Sequence, residues 1–276
     1  MITVKLQGGL GNQLFEYAAG RALAARSNTG LQLDIEWYKI SPNRTYDLAA
    51  YAISGTVATQ EDLRKTKRGP FGLKRAYLVK ERSYSFDPHV LEAGPDAYLV
   101  GYLQSEKYFA DIADTIRREF TLKTKAEGLN AELLKEIEAG TSVSLHVRRG
   151  DYVTTRNGVA NHGAASLEYY QRAVDLIATK VASPHFYVFS DDPAWTQENL
   201  KFDYPTTFVT HNGKAAQEDL RLMSACKHFI IANSTFSWWG AWLGANPEKK
   251  IVAPERWFVD PKTDTSDLIP ASWIRL

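Results

Sequence analysis

Four stretches of this chain share one design: a short apolar run ends in glycine or polar residues, and a helical period usually follows. Ile2–Leu6 runs into Gly8-Gly-Leu-Gly-Asn-Gln13, and Val143–Val147 ends in His146-Val-Arg-Arg-Gly-Asp151. Phe186–Phe189 runs into Ser190-Asp-Asp-Pro193, and Phe229–Ala232 into Asn233-Ser-Thr-Phe-Ser-Trp-Trp239. Short buried strands alternating with helical periods dictate an α/β fold with largely parallel sheets. Ligands of such sheets bind outside the carboxyl ends of the strands, so polar residues gathered there are the leading site candidates.

Periodicity predicts strands at 2–6, 31–34, 98–102, 143–147, 185–190, 228–232 and 250–253. Helices are predicted at 13–26, 106–120, 130–139, 167–181, 215–225 and 235–244. Residues 41–96 give no clean period. Their basic run (Arg64, Lys65, Lys67, Arg68, Lys74, Arg75) reads as a solvated face or as a holder of a ligand or anionic membrane surface. The polar stretch 122–141 places a domain boundary, which divides the chain into 1–130 and 131–276.

With 276 residues, 44% hydrophobic and 24% charged, the composition is that of a globular protein of one large or two smaller domains. A net charge of +1 creates no global field to recruit nucleic acid. The single cysteine, Cys226, excludes an intramolecular disulfide and argues against a Cys-based zinc site. No apolar run is long enough to span a membrane and no secretory leader is read at the N-terminus, so a cytoplasmic protein is expected.

Strand alternation puts Val143, Leu145 and Val147 on one face and Ser144, His146 and Arg148 on the other. An imidazole, neutral or cationic, and a guanidinium then leave the sheet side by side. Gly150 allows a turn that brings Asp151 within reach of both. A guanidinium fork matches phosphate oxygens, which points to a phosphate-bearing ligand. Arg148, Arg149 and Asp151 are equally able to form a structural ion-pair cluster.

The glycines of the first loop, Gly9 and Gly11, let the backbone approach a ligand closely. A dinucleotide reading would use Asp34 as the ribose acid, but Leu14 stands where the third glycine of that fingerprint belongs. Asn12 and Gln13 suit hydroxyls, or cap the helix. Ser190, Asp191 and Asp192 cap a helix opened by Pro193, bind sugar hydroxyls, or orient an arginine. The Asn233–Ser237 turn offers hydroxyls and amides to an anion, while the spacing of Trp238, Trp239 and Trp242 favours helix packing over a ligand platform. Asp219 either points into the same cleft or is solvated. No cluster makes a convincing metal site.

In this order the motifs Gly8–Phe15, His146–Asp151, Phe189–Asp192 and Asn233–Trp239 resemble those of the inverting α-1,2-fucosyltransferases, which move L-fucose from GDP-β-L-fucose to O2 of a terminal galactose. The resemblance implies a GT-B fold of two Rossmann-like domains facing across a cleft. It implies a donor held mainly by 131–276, an acceptor met by 1–130, and no requirement for a divalent metal or cofactor. Arg148 would bind the β-phosphate, His146 would lie near the guanosine and Asp219 would contact the guanine. Gly9, Gly11, Ser190, Asp191, Asp192, Asn233, Ser234, Thr235, Phe236 and Ser237 would line the donor. Asn12 and Gln13 would face the acceptor, with Asn12 near the reacting centre, and Arg149 would be structural. The base stays open between Asp151, His146 and a dissociative path needing little base help. Lacking the membrane anchor of animal members, the chain resembles bacterial enzymes that build surface polysaccharide on lipid-linked precursors, which implies loose association with the inner face of the membrane. A different linkage such as α-1,6, or a non-catalytic sugar-binding protein, remains open.

Overall fold

The computed structural model describes residues 1–67 and 77–276, so Arg68, Lys74 and Arg75 of the basic run lie outside the described residues. The described chain forms two compact units, Met1–Lys123 with Asp264–Leu268 and Thr124–Thr263 with Ile269–Leu276.

The first unit is built on a five-stranded parallel sheet of β1 (Ile2–Lys5), β2 (Leu31–Asp34), β3 (Thr56–Val57), β4 (Tyr77–Lys80) and β5 (Ala97–Val100), in the order β3-β2-β1-β5-β4. The crossover helix α1 (Leu10–Arg26) is buried along most of its length, and Leu14, Phe15, Ala18 and Ala22 are fully enclosed. Two short helices, α2 (Trp37–Ile40) and α3 (Gln60–Lys67), precede the edge strand β4. The stretch without a clean period thus supplies both sheet edges. Thr56, Val57, Tyr77, Leu78 and Lys80 of those strands are exposed, so no in–out alternation was there to be read.

The helix expected over 106–120 is interrupted. Two 3-10 turns, Glu106–Tyr108 and Ala110–Ile112, precede α4 (Ala113–Glu119). Phe109 leaves helical geometry at φ −134° and puts its buried ring 6.3 Å from Phe15. Tyr108 is buried beside it; in an unbroken helix two adjacent residues would point about 100° apart.

The second unit carries β6 (Ser142–Val147), β7 (His185–Ser190), β8 (Thr206–Val209), β9 (His228–Ile230), β10 (Ile251–Ala253) and β11 (Ile274–Arg275), all parallel, in the order β11-β10-β9-β6-β7-β8. Its helices are α5 (Gly128–Ala139), α6 (Gly150–Thr154), α7 (Arg156–Asn161), α8 (Leu167–Lys180), α9 (Pro193–Asn199), α10 (Ala216–Ala225) and α11 (Thr235–Leu243). Val143, Leu145 and Val147 of β6 join Tyr170, Ala173, Val174 and Ile177 of α8 in one apolar core. The i, i+3, i+4, i+7 spacing makes those four a single helix stripe. Ser142, Ser144 and His146 on the other face of β6 are buried too, as a central parallel strand requires. Trp238 and Trp239 are fully buried. Trp238 stacks on Trp242 with centroids 6.2 Å apart and lies 5.4 Å from Trp273, so these rings pack the helix.

Numbered from β6, the second sheet runs 3-2-1-4-5-6, and its connections reverse direction between β6 and β9. In the first sheet β1 leads outward to β2 and β3, and the chain then crosses to the far edge. From there β4 returns inward to β5 beside β1, so the connections do not diverge there as they do between β6 and β9. A switch point of the latter kind opens a crevice at the carboxyl ends of the strands. His146–Asp151 spans the carboxyl end of β6 and the start of α6, and Asn233–Ser237 follows β9.

Candidate active site

Arg148 emerges from β6 into a clamp. Its Nη2 lies 2.6 Å from Asp151 Oδ1 and its Nη1 lies 2.9 Å from Asp191 Oδ2. Burial opposes the charge, and the two carboxylates more than offset it, so the guanidinium stays protonated. Asp191 also accepts from the backbone N–H of Arg149 at 2.9 Å, which ties the loop after β6 to the end of β7. Gly150 is needed there, because a Cβ at that position would overlap the Asp191 carboxylate.

Arg149 turns elsewhere. Its guanidinium stacks 3.7 Å from the Trp195 ring centre and pairs with Asp192 at 3.3 Å. Asp192 also caps α9 by accepting from Trp195 N, and Ser190 Oγ accepts from Asp192 N at 3.0 Å and contacts the Thr196 hydroxyl at 2.9 Å. The paired acids therefore divide. Asp191 orients an arginine, whereas Asp192 and Ser190 hold the turn that opens α9.

His146 is buried, and its ring lies 5.6 Å from Phe236. Burial, reinforced by Arg148, pushes its pKa down to about 3, so the imidazole is neutral. Of the two charge states the sequence left open, burial favours the neutral one. Asp151, expected within reach of both side chains, is engaged by Arg148, while His146 Nδ1 meets no partner. An imidazole so weakly basic is a poor proton acceptor. Its Nδ1 is a dry hydrogen-bonding position instead.

Beside the clamp, the Tyr152 ring lies 5.4 Å from the Arg148 guanidinium and stacks on His162 with centroids 4.7 Å apart and planes 6° apart. Sequence reasoning missed both residues, because α6 and α7 are too short to show a period. A Cβ at Gly158 would collide with the carbonyl of Asp151, so α7 packs directly on the loop that holds that acid.

Asn233 Nδ2 donates to the carbonyls of His162, Gly163 and Trp257 at 3.1, 3.0 and 3.1 Å, and the Ser237 hydroxyl points back to Ala232 O and Ser234 O. Both contacts fasten the turn, while Asn233 Oδ1 is buried without a partner. Ser234, Thr235 and Phe236 stand at the start of α11. Asp219 accepts from Asn212 Nδ2 at 2.8 Å, within a polar chain that continues to Asn130, and burial raises its pKa.

In the first unit α1 already begins at Leu10, capped by Gly9, so Asn12 and Gln13 sit in its first turn. Gly11 is buried there. Gln13 is fully buried, donates to Thr45 O at 2.8 Å and accepts from the N–H groups of Asp47 and Leu48 at 2.8 and 3.3 Å. Its amide holds the loop at 45–48. Asn12 accepts from Gln104 Nε2 at 3.2 Å. Asp34 is occupied by the Tyr98 hydroxyl and Glu36 N, which removes the ribose acid of the dinucleotide reading. Among the described residues no group of three or more His, Cys, Asp or Glu is placed to hold a metal ion, and no helix is long and apolar enough to cross a membrane.

The model of glycosyl transferase family 11 matches residues 1–276. The chain is 31% identical to the α-1,2-colitosyltransferase of Escherichia coli, covering 100% of this chain and 99% of that one. It is 27% identical to galactoside α-(1,2)-fucosyltransferase 2 of Pongo pygmaeus, over 97% of this chain and 80% of that one. The solved fucosyltransferase NodZ from Bradyrhizobium has a similar fold, with a TM-score of 0.51 at 14% identity, over 87% of this chain and 91% of that one. Its fold is GT-B, and the two parallel α/β sheets here are of that type. Because the family match runs the whole length of the chain and a relative of matching length is 31% identical, the chain belongs to glycosyl transferase family 11 and is a glycosyltransferase.

Proposed function

We propose that the enzyme moves L-fucose from GDP-β-L-fucose to O2 of a terminal β-galactose, inverting the anomeric centre to an α-1,2 linkage. The observation that carries this reading is Arg148, held at the switch point of the second sheet by the Asp191 carboxylate, which also accepts from the backbone N–H of Arg149. The second unit takes the donor and the first the acceptor. The units part between Lys123 and Thr124, a few positions before the division at 130 and 131 read from the sequence, and Asp264–Leu268 joins the first. As the galactose hydroxyl attacks opposite GDP, charge grows on the leaving diphosphate, and the Arg148 guanidinium with the amides of the Ser234–Phe236 turn stabilises it. Asp151 serves as the base, because His146 is too weakly basic.

The reading includes an acceptor presented on a lipid carrier at the inner face of a bacterial membrane, met by peripheral association. The E. coli relative named for colitosyl transfer favours a second donor, a colitosyl nucleotide. The test supplies GDP-fucose and methyl β-D-galactopyranoside in the presence of EDTA. GDP release with an α-1,2-linked disaccharide, identified by NMR, is expected. An α-1,6 product on a chitin oligosaccharide would reassign the linkage, and turnover with the colitosyl nucleotide alone would reassign the donor. No GDP release across a panel of β-galactosides would sink the reading.

A further inference from the structure

Past the ends of β4 and β5 and on the first turns of α1, four polar side chains from three separate parts of the chain are drawn together. Asn12 and Glu16, four residues apart, share one face of α1. Gln104, in the loop after β5, donates its Nε2 to Asn12 Oδ1 at 3.2 Å, which fixes its amide head against that helix face. Its Oε1, on the same head, has no partner, although the residue is 6% exposed. Glu16 is fully enclosed; its Oε2 accepts from Gln7 N at 2.9 Å and its Oε1 has no partner. Glu81, just past β4, reaches under the same loop and accepts from Tyr102 N at 2.9 Å and Leu103 N at 3.1 Å. Gly101 makes room for it, because a Cβ there would overlap the Glu81 side chain.

We infer that Asn12, Glu16, Glu81 and Gln104 form a binding site for the hydroxyls of a neutral sugar, the acceptor glycan. The inference rests on the reading that the first unit takes the acceptor. Two oxygens buried without partners cost stability unless a ligand completes them. Gln104 Oε1 can only accept, so the ligand must bring a donor, which a sugar hydroxyl supplies. Burial holds the Glu16 carboxyl well above the usual range, so it is a neutral acid able to donate or accept. None of the four side chains is a cation that could pair with a phosphate, and Glu81 repels one when it ionises, which favours a neutral ligand over the nucleotide. The rings of Tyr84 and Tyr102 lie beside Glu81 with planes 6° apart, offering flat apolar faces of the kind that sugar rings stack on.

The test pairs two near-isosteric variants, Gln104→Met and Glu16→Gln, with steady-state kinetics on methyl β-D-galactopyranoside and GDP-fucose. A thermal melt on each confirms folding. The expected result is a KM for the galactoside raised at least tenfold, with the KM for GDP-fucose within twofold of wild type. An unchanged galactoside KM in both folded variants would overturn the site while leaving the proposed transfer reaction standing. If the wild-type enzyme turns over no galactoside, saturation-transfer NMR on the same sugar decides: a signal lost in Gln104→Met supports the site on its own, and a signal retained overturns it. Should Gln104→Met fail to fold, Glu16→Gln carries both readouts.

Discussion

Arg148 sits between two carboxylates, and a donor diphosphate has to displace at least one of them. Asp191 is also bound to Arg149 N, whereas the Asp151 side chain is 38% exposed, so Asp151 is the partner that yields. Replacing it removes a competitor and a repelling charge. Asp151→Asn is expected to lower the Kd for GDP about threefold to tenfold, roughly 1 kcal/mol for a charge pair near the surface. As the proposed base it also lowers kcat, by on the order of a hundredfold or more. Calorimetry and kinetics check the two parts separately, and a raised Kd would make Asp151 a nucleotide contact instead. Arg148→Ala should forfeit on the order of 3 kcal/mol of transition-state stabilisation, by comparison with losing an oxyanion donor, and near-normal turnover would remove Arg148 from the mechanism. The spacing of His146–Asp151 put Asp151 within reach of Arg148, and the pair is formed. The donor fork and the other acids were visible in the residues, but which of Asp191 and Asp192 meets which arginine depends on β7 lying beside β6.

Helix α8 shows what one element contributes. Ser166 stands at its N-cap and accepts from Tyr169 N at 3.1 Å, and the Tyr170–Ile177 stripe buries its inner face against β6. Ser166→Ala should lower the stability of the second unit by about 1 kcal/mol, read as a shift in its urea midpoint with unchanged slope. No change would mean that backbone amides at that end find another acceptor. This helix was plain in the sequence because cap, period and apolar stripe all lie within fifteen residues. The broken helix at 106–119 was not, because its interruption comes from Phe109 packing on Phe15, about ninety positions away. The edge strands β3 and β4 escaped for a related reason: a strand that buries little carries little pattern.

Across the whole molecule, two buried titrating groups bend stability in opposite directions. His146 has a folded pKa near 3 against an ordinary value of 6.5. Its contribution is complete above pH 6.5 and is lost as pH falls toward 3, on the order of 4 kcal/mol in all. Glu81 is pushed up to about 7, against an ordinary 4.5, by burial. Its contribution is complete below pH 4.5 and is lost as pH rises through 7, on the order of 3 kcal/mol. Amide hydrogen exchange resolved by unit should show His146→Asn flattening the acid slope of the second unit and Glu81→Gln flattening the slope of the first between pH 5 and 7. Unaltered slopes in both variants would mean that neither group titrates as its burial requires.

The sequence by itself determined the α/β class, the strands and helices with strong periods, and the motifs at the strand ends. Those follow from patterns of two and 3.6 residues and from local capping chemistry, which a linear reading contains. Tertiary structure decided the rest. It made His146 neutral, turned Gln13 and Asn233 inward as latches, gave Asp191 rather than Asp192 to Arg148, and gathered Glu16, Glu81 and Gln104 beside Asn12. Desolvation and hydrogen bonds between residues tens of positions apart exist only once the strand order is set, so no local pattern encodes them.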